Sequence, residues 1–231
     1  MLNTRFTRYP LRATDLIMQN RDMIFAKEGH RYLYPAAILF MVTLPLGKWW
    51  LSAPLGLFAG FSAWFFRNPE RQAPTGDDIY VSPADGRVLR VSVAHEDRYL
   101  FREMKKIEIF MSPFNVHVNR IPRSGVVVDA IYTRGKFFNA SLDKASADNE
   151  QNAVIVRDEK GREYMFVQIA GLVARRIVSY VRAGKEVEIG QRMGLIQFGS
   201  RLDVYLPPET VMAVREGDRV KAGESILGRL G

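Results

Sequence analysis

Two stretches of the C-terminal third repeat one pattern 33 residues apart: Val181-Arg182-x-Gly184-x-x-Val187-x-x-Gly190 and Val214-Arg215-x-Gly217-x-x-Val220-x-x-Gly223. A repeat constrains a fold more than a single residue does, because each copy makes the same local structure. Glycine reaches backbone angles closed to other residues, and a flanked valine favours extension. Each copy therefore reads as a Gly-rich turn leading into a strand. The chain beyond Gly76 follows suit, with short β-like runs broken by Gly, Pro, Asn and Asp. These runs are Ile79–Ser82, Val88–Val93, Ile107–Met111, Val126–Tyr132, Ala153–Val156, Tyr164–Ile169 and Val204–Leu206. The expected fold class is mainly β (α+β), an antiparallel sandwich or barrel-like domain over residues 67–231. A helical stretch is expected only after Gly171, over Leu172 to Val181, although that segment is rich in β-branched residues.

The repeated hairpins resemble those of biotinyl and lipoyl carrier domains and related barrel-sandwich modules. Such domains present a lysine at a hairpin tip, and Thr210-Val211-Met212-Ala213-Val214 has none, which speaks against a carrier.

Residues 1–32 form a basic N-terminal segment, in which Arg5, Arg8, Arg12, Arg21, Lys27 and Arg31 outnumber Asp15, Asp22 and Glu28. Two uncharged apolar runs follow, Leu33 to Leu46 and Trp49 to Phe66, split by Gly47-Lys48. As helices they measure about 21 and 27 Å against a hydrocarbon core of roughly 30 Å. They read as a membrane-associated helical hairpin over residues 33–66, embedded or re-entrant, with a buried core hairpin as the alternative. Arg31 before it and Arg67 and Arg71 after it place both ends on the cytoplasmic side. The net charge of +8 points to an anionic partner. Without a basic run or a nucleic-acid motif, and beside such a hairpin, that partner reads as membrane and not nucleic acid. Cysteine is absent and there are three histidines. That excludes disulfides and thiol nucleophiles, and no metal is expected.

Chemistry enters at Gly199-Ser200, the chain's only Gly-Ser step. A serine hydroxyl attacks the preceding carbonyl most easily after glycine, which tolerates the strained backbone. Attack gives an ester, elimination cuts the chain, and the resulting dehydroalanine hydrolyses to a pyruvoyl group, an electron sink like pyridoxal phosphate. Most Gly-Ser pairs, however, are turns. The reaction needs a base and a group to orient it. His117 is the best-placed histidine. In an extended segment it shares a face with Asn115 and Asn119 while Val116 and Val118 take the other; the bland alternative is a half-exposed histidine on a surface strand. His95 lies in a charged run and reads as solvated, and His30 as interfacial. Asp85, in Ser82-Pro83-Ala84-Asp85-Gly86, is the candidate orienting carboxylate, although Asp-Gly is also a hairpin-turn signal.

Several segments together resemble phosphatidylserine decarboxylase proenzymes of the short bacterial and archaeal form. They include Phe65-Phe66-Arg67-Asn68-Pro69-Glu70-Arg71, Ser82-Pro83-Ala84-Asp85-Gly86 and Phe110-Met111-Ser112-Pro113-Phe114-Asn115-Val116-His117-Val118-Asn119. Further matches are Asn139-Ala140-Ser141-Leu142-Asp143-Lys144-Ala145-Ser146, Asn149-Glu150, the run from Gln168 to Ile177, and Phe198-Gly199-Ser200-Arg201-Leu202-Asp203-Val204-Tyr205. The resemblance runs from about residue 30 to the end.

It implies self-cleavage between Gly199 and Ser200 into a 1–199 β chain and a 200–231 α chain that stay together as a heterodimer. Asp85, His117 and Ser200 fall on the family's triad. The cofactor is then a covalent pyruvoyl from Ser200, which forms a Schiff base with the serine headgroup before CO2 leaves. The substrate is a phospholipid, and the catalytic domain faces the cytoplasm at the cell membrane. Arg67, Arg175 and Arg176 are candidates for the lipid phosphate. Larger members carry a second histidine where this chain has Phe114, which leaves the carbanion's proton donor open. Two other readings stand: a membrane-tethered β-barrel binding or adaptor module without self-processing, and a serine hydrolase, against which the missing Gly-x-Ser-x-Gly elbow speaks.

Overall fold

A computed structural model describes residues 7–8, 24–138, 148–171, 176–197 and 200–231. In chain order they form β1 (Thr7–Arg8), α1 (His30–Thr43), α2 (Trp49–Phe65), β2 (Ile79–Val81), β3 (Gly86–Glu96), β4 (Arg102–Met111), β5 (Val118–Arg120) and β6 (Gly125–Thr133). There follow β7 (Gln151–Arg157), β8 (Glu163–Ala170), β9 (Ile177–Ser179), β10 (Glu186–Val187), β11 (Arg192–Ile196), β12 (Ser200–Leu206), β13 (Thr210–Met212), β14 (Arg219–Val220) and β15 (Ile226–Leu230). Two compact units result, a helical one ending at Glu70 and a β unit from Arg71 onward that β1 joins.

In the helical unit the two apolar runs become α1 and α2. Leu44 to Gly47 turn the chain, with Gly47 in the left-handed region at φ 67°. The unit closes at its open end, where Ala26 N–H donates to Phe66 O and Asn68 N–H to Ile24 O, each at 2.8 Å. A Cβ on Gly29 would collide with the buried Phe66, and one on Gly56 would press on the Phe40 ring. The two glycines thus let the pieces approach. Outward-facing apolar side chains remain, among them Leu44, Leu46, Trp49, Trp50, Leu57 and Phe58. The longer helix, α2, has 17 residues, about 26 Å. Among the described residues no helix is long and apolar enough to cross a membrane.

The β unit is antiparallel, as expected. Its main sheet runs β1-β6-β7-β8-β12-β4-β3-β14, with β10 also on β6, and two three-stranded sheets, β5-β11-β9 and β13-β15-β2, accompany it. The main sheet curls as a half-barrel. Strand alternation gives it two faces. Val88, Ile109, Val154, Phe166, Leu202 and Val204 enter the large core, while Ala153, Ile155, Met165, Val167 and Ile169 form a smaller cluster on the other side.

The 33-residue repeat is one limb of a larger internal symmetry. Strands β2–β4 with β12–β15 mirror β5–β7 with β8–β11: β4 pairs β12 as β7 pairs β8, and β3 pairs β14 as β6 pairs β10. The bonds exchange reciprocally, Arg120 N–H donating to Pro83 O and Val81 N–H to Pro122 O, each at 2.9 Å. Both β3 and β6 bulge at matching places, Val88/Arg90 and Val127/Asp129. The four repeat glycines, 184, 190, 217 and 223, all have positive φ of 76–93°. One expectation fails. Ile177–Ser179, inside the stretch expected to be helical, is a strand paired to β11, the geometry that Ile and Val favour; residues 172–175 lie outside the described residues.

Candidate active site

Ser200 opens β12, the strand held between β4 and β8, where it pairs with Met111 on one side and Ala170 on the other. It is fully buried. Alternation turns its side chain to the face of Leu202, Val204 and Leu206, the large core. The hydroxyl donates to Met111 Sδ at 3.4 Å. A thioether is a weak acceptor, so the hydroxyl is oriented without being locked into a strong bond. Phe198 and Gly199, and with Gly199 the expected scissile bond, lie outside the described residues.

His117 is 1% exposed, which excludes the half-exposed surface histidine. Asn115 does not continue an extended segment. It sits in a turn in which its Oδ1 accepts from Ser112 N–H and Oγ–H, each at 2.8 Å. The Asn115 carbonyl oxygen lies 2.9 Å from His117 Nδ1. A carbonyl only accepts, so Nδ1 carries the proton in the neutral ring and Nε2 is the basic nitrogen. One register step from Leu195↔Val118 sets His117 opposite Ile196, four residues before Ser200.

Asp85 lies in the turn between β2 and β3. Both its oxygens take a fork from Arg71, Nη2 at 2.8 Å and Nη1 closer still, and Oδ1 also accepts Ala222 N–H at 2.8 Å. Arg71 Nη1 reaches Ala222 O at 2.9 Å. Burial by itself disfavours the Arg71 charge, but the Asp85 bond and charge outweigh it and hold its pKa above the usual guanidinium value. Sequence reading treated Arg71 as a flanking charge and missed this partnership. It missed the signal in the symmetry as well: Ser124 occupies the matching position, and its Oγ accepts Ile189 N–H at 2.9 Å.

The remaining candidates belong to separate elements. Arg67 belongs to the helical unit, where its guanidinium stacks 4.2 Å from the Trp64 ring centroid and donates to Trp64 O at 2.6 Å. Arg175 lies outside the described residues. Arg176 is exposed, and its carbonyl accepts Gln197 N–H at 3.1 Å. His95 is solvated beside Asp97, at 3.5 Å, and His30 stacks on Tyr34 with ring centroids 4.8 Å apart. Phe114 is largely exposed.

Behind Ser200, alternation puts Arg201 and Asp203 on the opposite face. Arg201, fully buried, grips Asp203 through Nε at 2.7 Å and Nη2 at 2.9 Å, and Lys106 bonds Glu108 at 2.7 Å and Asp203 at 3.1 Å. Buried charges need such pairing. Two cations and two carboxylates balance here, and they tie β12 to β4 directly behind the serine. A cavity of about 450 Å³ lined by Gln151, Met165, Ile169, Asp203 and Tyr205 opens on that rear face, the side away from the hydroxyl. Among the described residues no group of three His, Cys, Asp or Glu could hold a metal ion.

Comparison with known proteins gives this geometry its context. The family model described as phosphatidylserine decarboxylase matches residues 58–228. The phosphatidylserine decarboxylase proenzyme of Syntrophus aciditrophicus is 49% identical over 212 residues, covering 90% of this chain and 98% of the relative. The proenzyme of Geobacter metallireducens is 45% identical over 218 residues, covering 92% and 100%. That of Burkholderia mallei is 46% identical over 207 residues, covering 90% and 95%. A serine buried at the head of the central strand, with a fixed imidazole on the neighbouring segment, thus sits in a chain that belongs to the phosphatidylserine decarboxylase family.

Proposed function

We propose that this chain converts phosphatidylserine to phosphatidylethanolamine and CO2, using a pyruvoyl group made from its own Ser200 by cutting the Gly199-Ser200 bond. The observation that carries the reading is Ser200 itself. It is buried at the start of β12, its hydroxyl donating to a thioether among the described residues, in a chain 49% identical to a proenzyme of that name. Such a site suits a ketone, since water is excluded, Ala170 alongside is small, and a buried amide, that of Asn119, lies against the same sulfur. When present, that ketone takes up the substrate amine and the electron pair that CO2 leaves.

The chain's own residues supply the rest. His117, its Nδ1–H held by the Asn115 carbonyl, offers Nε2 as the base for the Ser200 hydroxyl. Asp85 with Arg71 fixes the turn to which β5, and so the His117 segment, is bonded through Arg120 N–H and Pro83 O. The resemblance adds Asp85 to the triad, a role it would fill through that turn, since its oxygens accept from Arg71 and Ala222 N–H while the Asn115 carbonyl accepts from Nδ1. After cleavage the 32-residue α chain stays in place because β12 hydrogen-bonds β4 and β8, β14 bonds β3, and β15 bonds β2. The apolar outer face of the helical hairpin and the net charge of +8 support a membrane-bound enzyme on the cytoplasmic side. Exposed Arg176, its neighbour Arg175 and Arg67 are the groups proposed for the lipid phosphate.

Intact-mass spectrometry of denatured wild type beside Ser200→Ala tests the reading. The expected result is a 199-residue and a 32-residue chain from wild type, the latter with a blocked, ketone-bearing end, and one whole chain from the variant. An uncut wild-type chain in folded protein moves the binding-module reading to first place.

A further inference from the structure

A line of buried amides ends at Met111, the cross-strand partner of Ser200. Asn152 Nδ2 donates to Gln168 Oε1 at 2.9 Å, Gln168 Nε2 donates to Asn119 Oδ1 at 2.8 Å, and Asn119 Nδ2 donates to Met111 Sδ at 3.6 Å. All three amides are fully buried. Register explains the line: Asn152 pairs with Gln168, and Gln168 with Leu202 on the Ser200 strand. The line also has a direction. Asn152 claims the Gln168 oxygen and Gln168 claims the Asn119 oxygen, so the Asn119 amide can turn only its NH2 toward Met111.

What that NH2 meets is poor. A sulfur is a weak acceptor, and a desolvated amide N–H without a good partner costs free energy. Met111 Sδ also takes the Ser200 hydroxyl at 3.4 Å, so the Asn119 NH2 and the Ser200 Oγ meet at one soft atom. Asn119 thus spends a buried donor, turned by two further buried amides, on a thioether. Elimination carries Oγ away and leaves the ketone oxygen on Cα in place of the nitrogen; rotation about the Cα–C bond of the freed end turns that oxygen to the side of the amide, a stronger acceptor than the sulfur.

We propose that Asn119 is a catalytic residue that donates a hydrogen bond to the ketone oxygen at position 200 and polarises it toward the substrate amine. This rests on the pyruvoyl reading of Ser200. In the step concerned, the amine lone pair forms the new C–N bond to the ketone carbon and the C=O π pair moves onto oxygen, where the Asn119 N–H meets it. The two protons of the amine pass to that oxygen, which departs as water. A donor placed in advance where negative charge develops lowers the barrier without reorganisation.

The test uses the purified full chain as wild type, Asn119→Leu and Met111→Leu. Intact mass first establishes that each is cut into the 199- and 32-residue chains. Phenylhydrazine is then added, and the mass of the 32-residue chain is followed with time. Asn119→Leu is expected to be cut yet to react about tenfold more slowly or worse. Met111→Leu, which frees the amide from its sulfur, is expected to react faster than wild type. Should Asn119→Leu yield no folded protein, Asn119→Ala carries the test: the donor is removed without added bulk, and the same slowing is expected. The proposal is overturned by an Asn119 variant reacting within about twofold of wild type, by Met111→Leu slowing as much as Asn119→Leu, or by a folded Asn119 variant that stays uncut. An uncut wild type sinks the pyruvoyl reading instead, so the two failures are distinguishable.

Discussion

Asp85 does at least one job that is purely structural. Its carboxylate accepts the Ala222 amide as the Ser124 hydroxyl accepts the Ile189 amide in the symmetry-matched turn. The carboxylate goes further than the hydroxyl, because it also neutralises Arg71, whose side chain is 7% exposed. Removing one partner of a buried pair leaves an uncompensated charge, at a cost of about 3 kcal/mol or more. Asp85→Asn is therefore expected to lower unfolding stability by that amount in denaturant titration, and Asp85→Asn with Arg71→Met to regain most of it. Ser124→Ala, which loses a single neutral bond, is expected to cost about 1 kcal/mol. Self-cleavage in the double variant separates Asp85's two roles: a stable but uncut chain assigns it to the triad, and a stable, cut chain assigns it to the turn alone.

The Gly-rich copies are the elements whose geometry the sequence states most directly. Gly184 sits at φ 79° with open space around a would-be Cβ. Replacement by Ala costs only the left-handed backbone, about 1–2 kcal/mol. Gly194, at φ 154° in the bulged β11, is different, because a Cβ there would land on the Val178 carbonyl of the neighbouring strand. Thermal melts are expected to show a modest loss for Gly184→Ala and loss of the cooperative transition, or of soluble protein, for Gly194→Ala. Equal effects would mean that the close β9–β11 approach does not matter. The same contrast explains what was legible at this scale. Alternating runs such as Val88–Val93 and Tyr164–Ile169 announce strands because their apolar spacing matches the pleat. The segment after Gly171 shows no such alternation, and pairing with Gly194-Leu195-Ile196, added to the extended preference of Ile177 and Val178, makes Ile177–Ser179 a strand.

The whole molecule joins a β unit holding the serine to a helical hairpin with a bare apolar outer face. Exposed Trp49 and Trp50 stand at the start of α2, and tryptophan favours the headgroup level of a bilayer. The proposed membrane contact would use this face, aided by attraction of the net positive chain to anionic lipid. The full chain is expected to float with vesicles containing anionic lipid. Trp49→Ser with Trp50→Ser should weaken flotation at every salt concentration, and high salt should weaken it for wild type. Flotation indifferent to both changes would remove the hairpin from the membrane contact. The proposed cleavage at residue 200 would leave the architecture intact for a topological reason: β12 lies inside the main sheet between β4 and β8, β14 pairs with β3 at the end of that sheet, and β15 pairs with β2 in a second sheet.

The sequence by itself determined the class of the fold, the repeat and the serine. Periodicity, glycine spacing and a unique Gly-Ser step are local properties, written within a few residues of one another. It also singled out His117 and put Asn119 on the same side of that segment. Tertiary structure decided the partners: Arg71 for Asp85, Met111 for Ser200, and Gln168 with Asn152 for Asn119. Those contacts join residues 14 to 89 positions apart. They depend on which strand lies beside which, and on the register between them. That information is held by the packing of the whole core and by the internal two-fold symmetry, and no short stretch of the chain carries it.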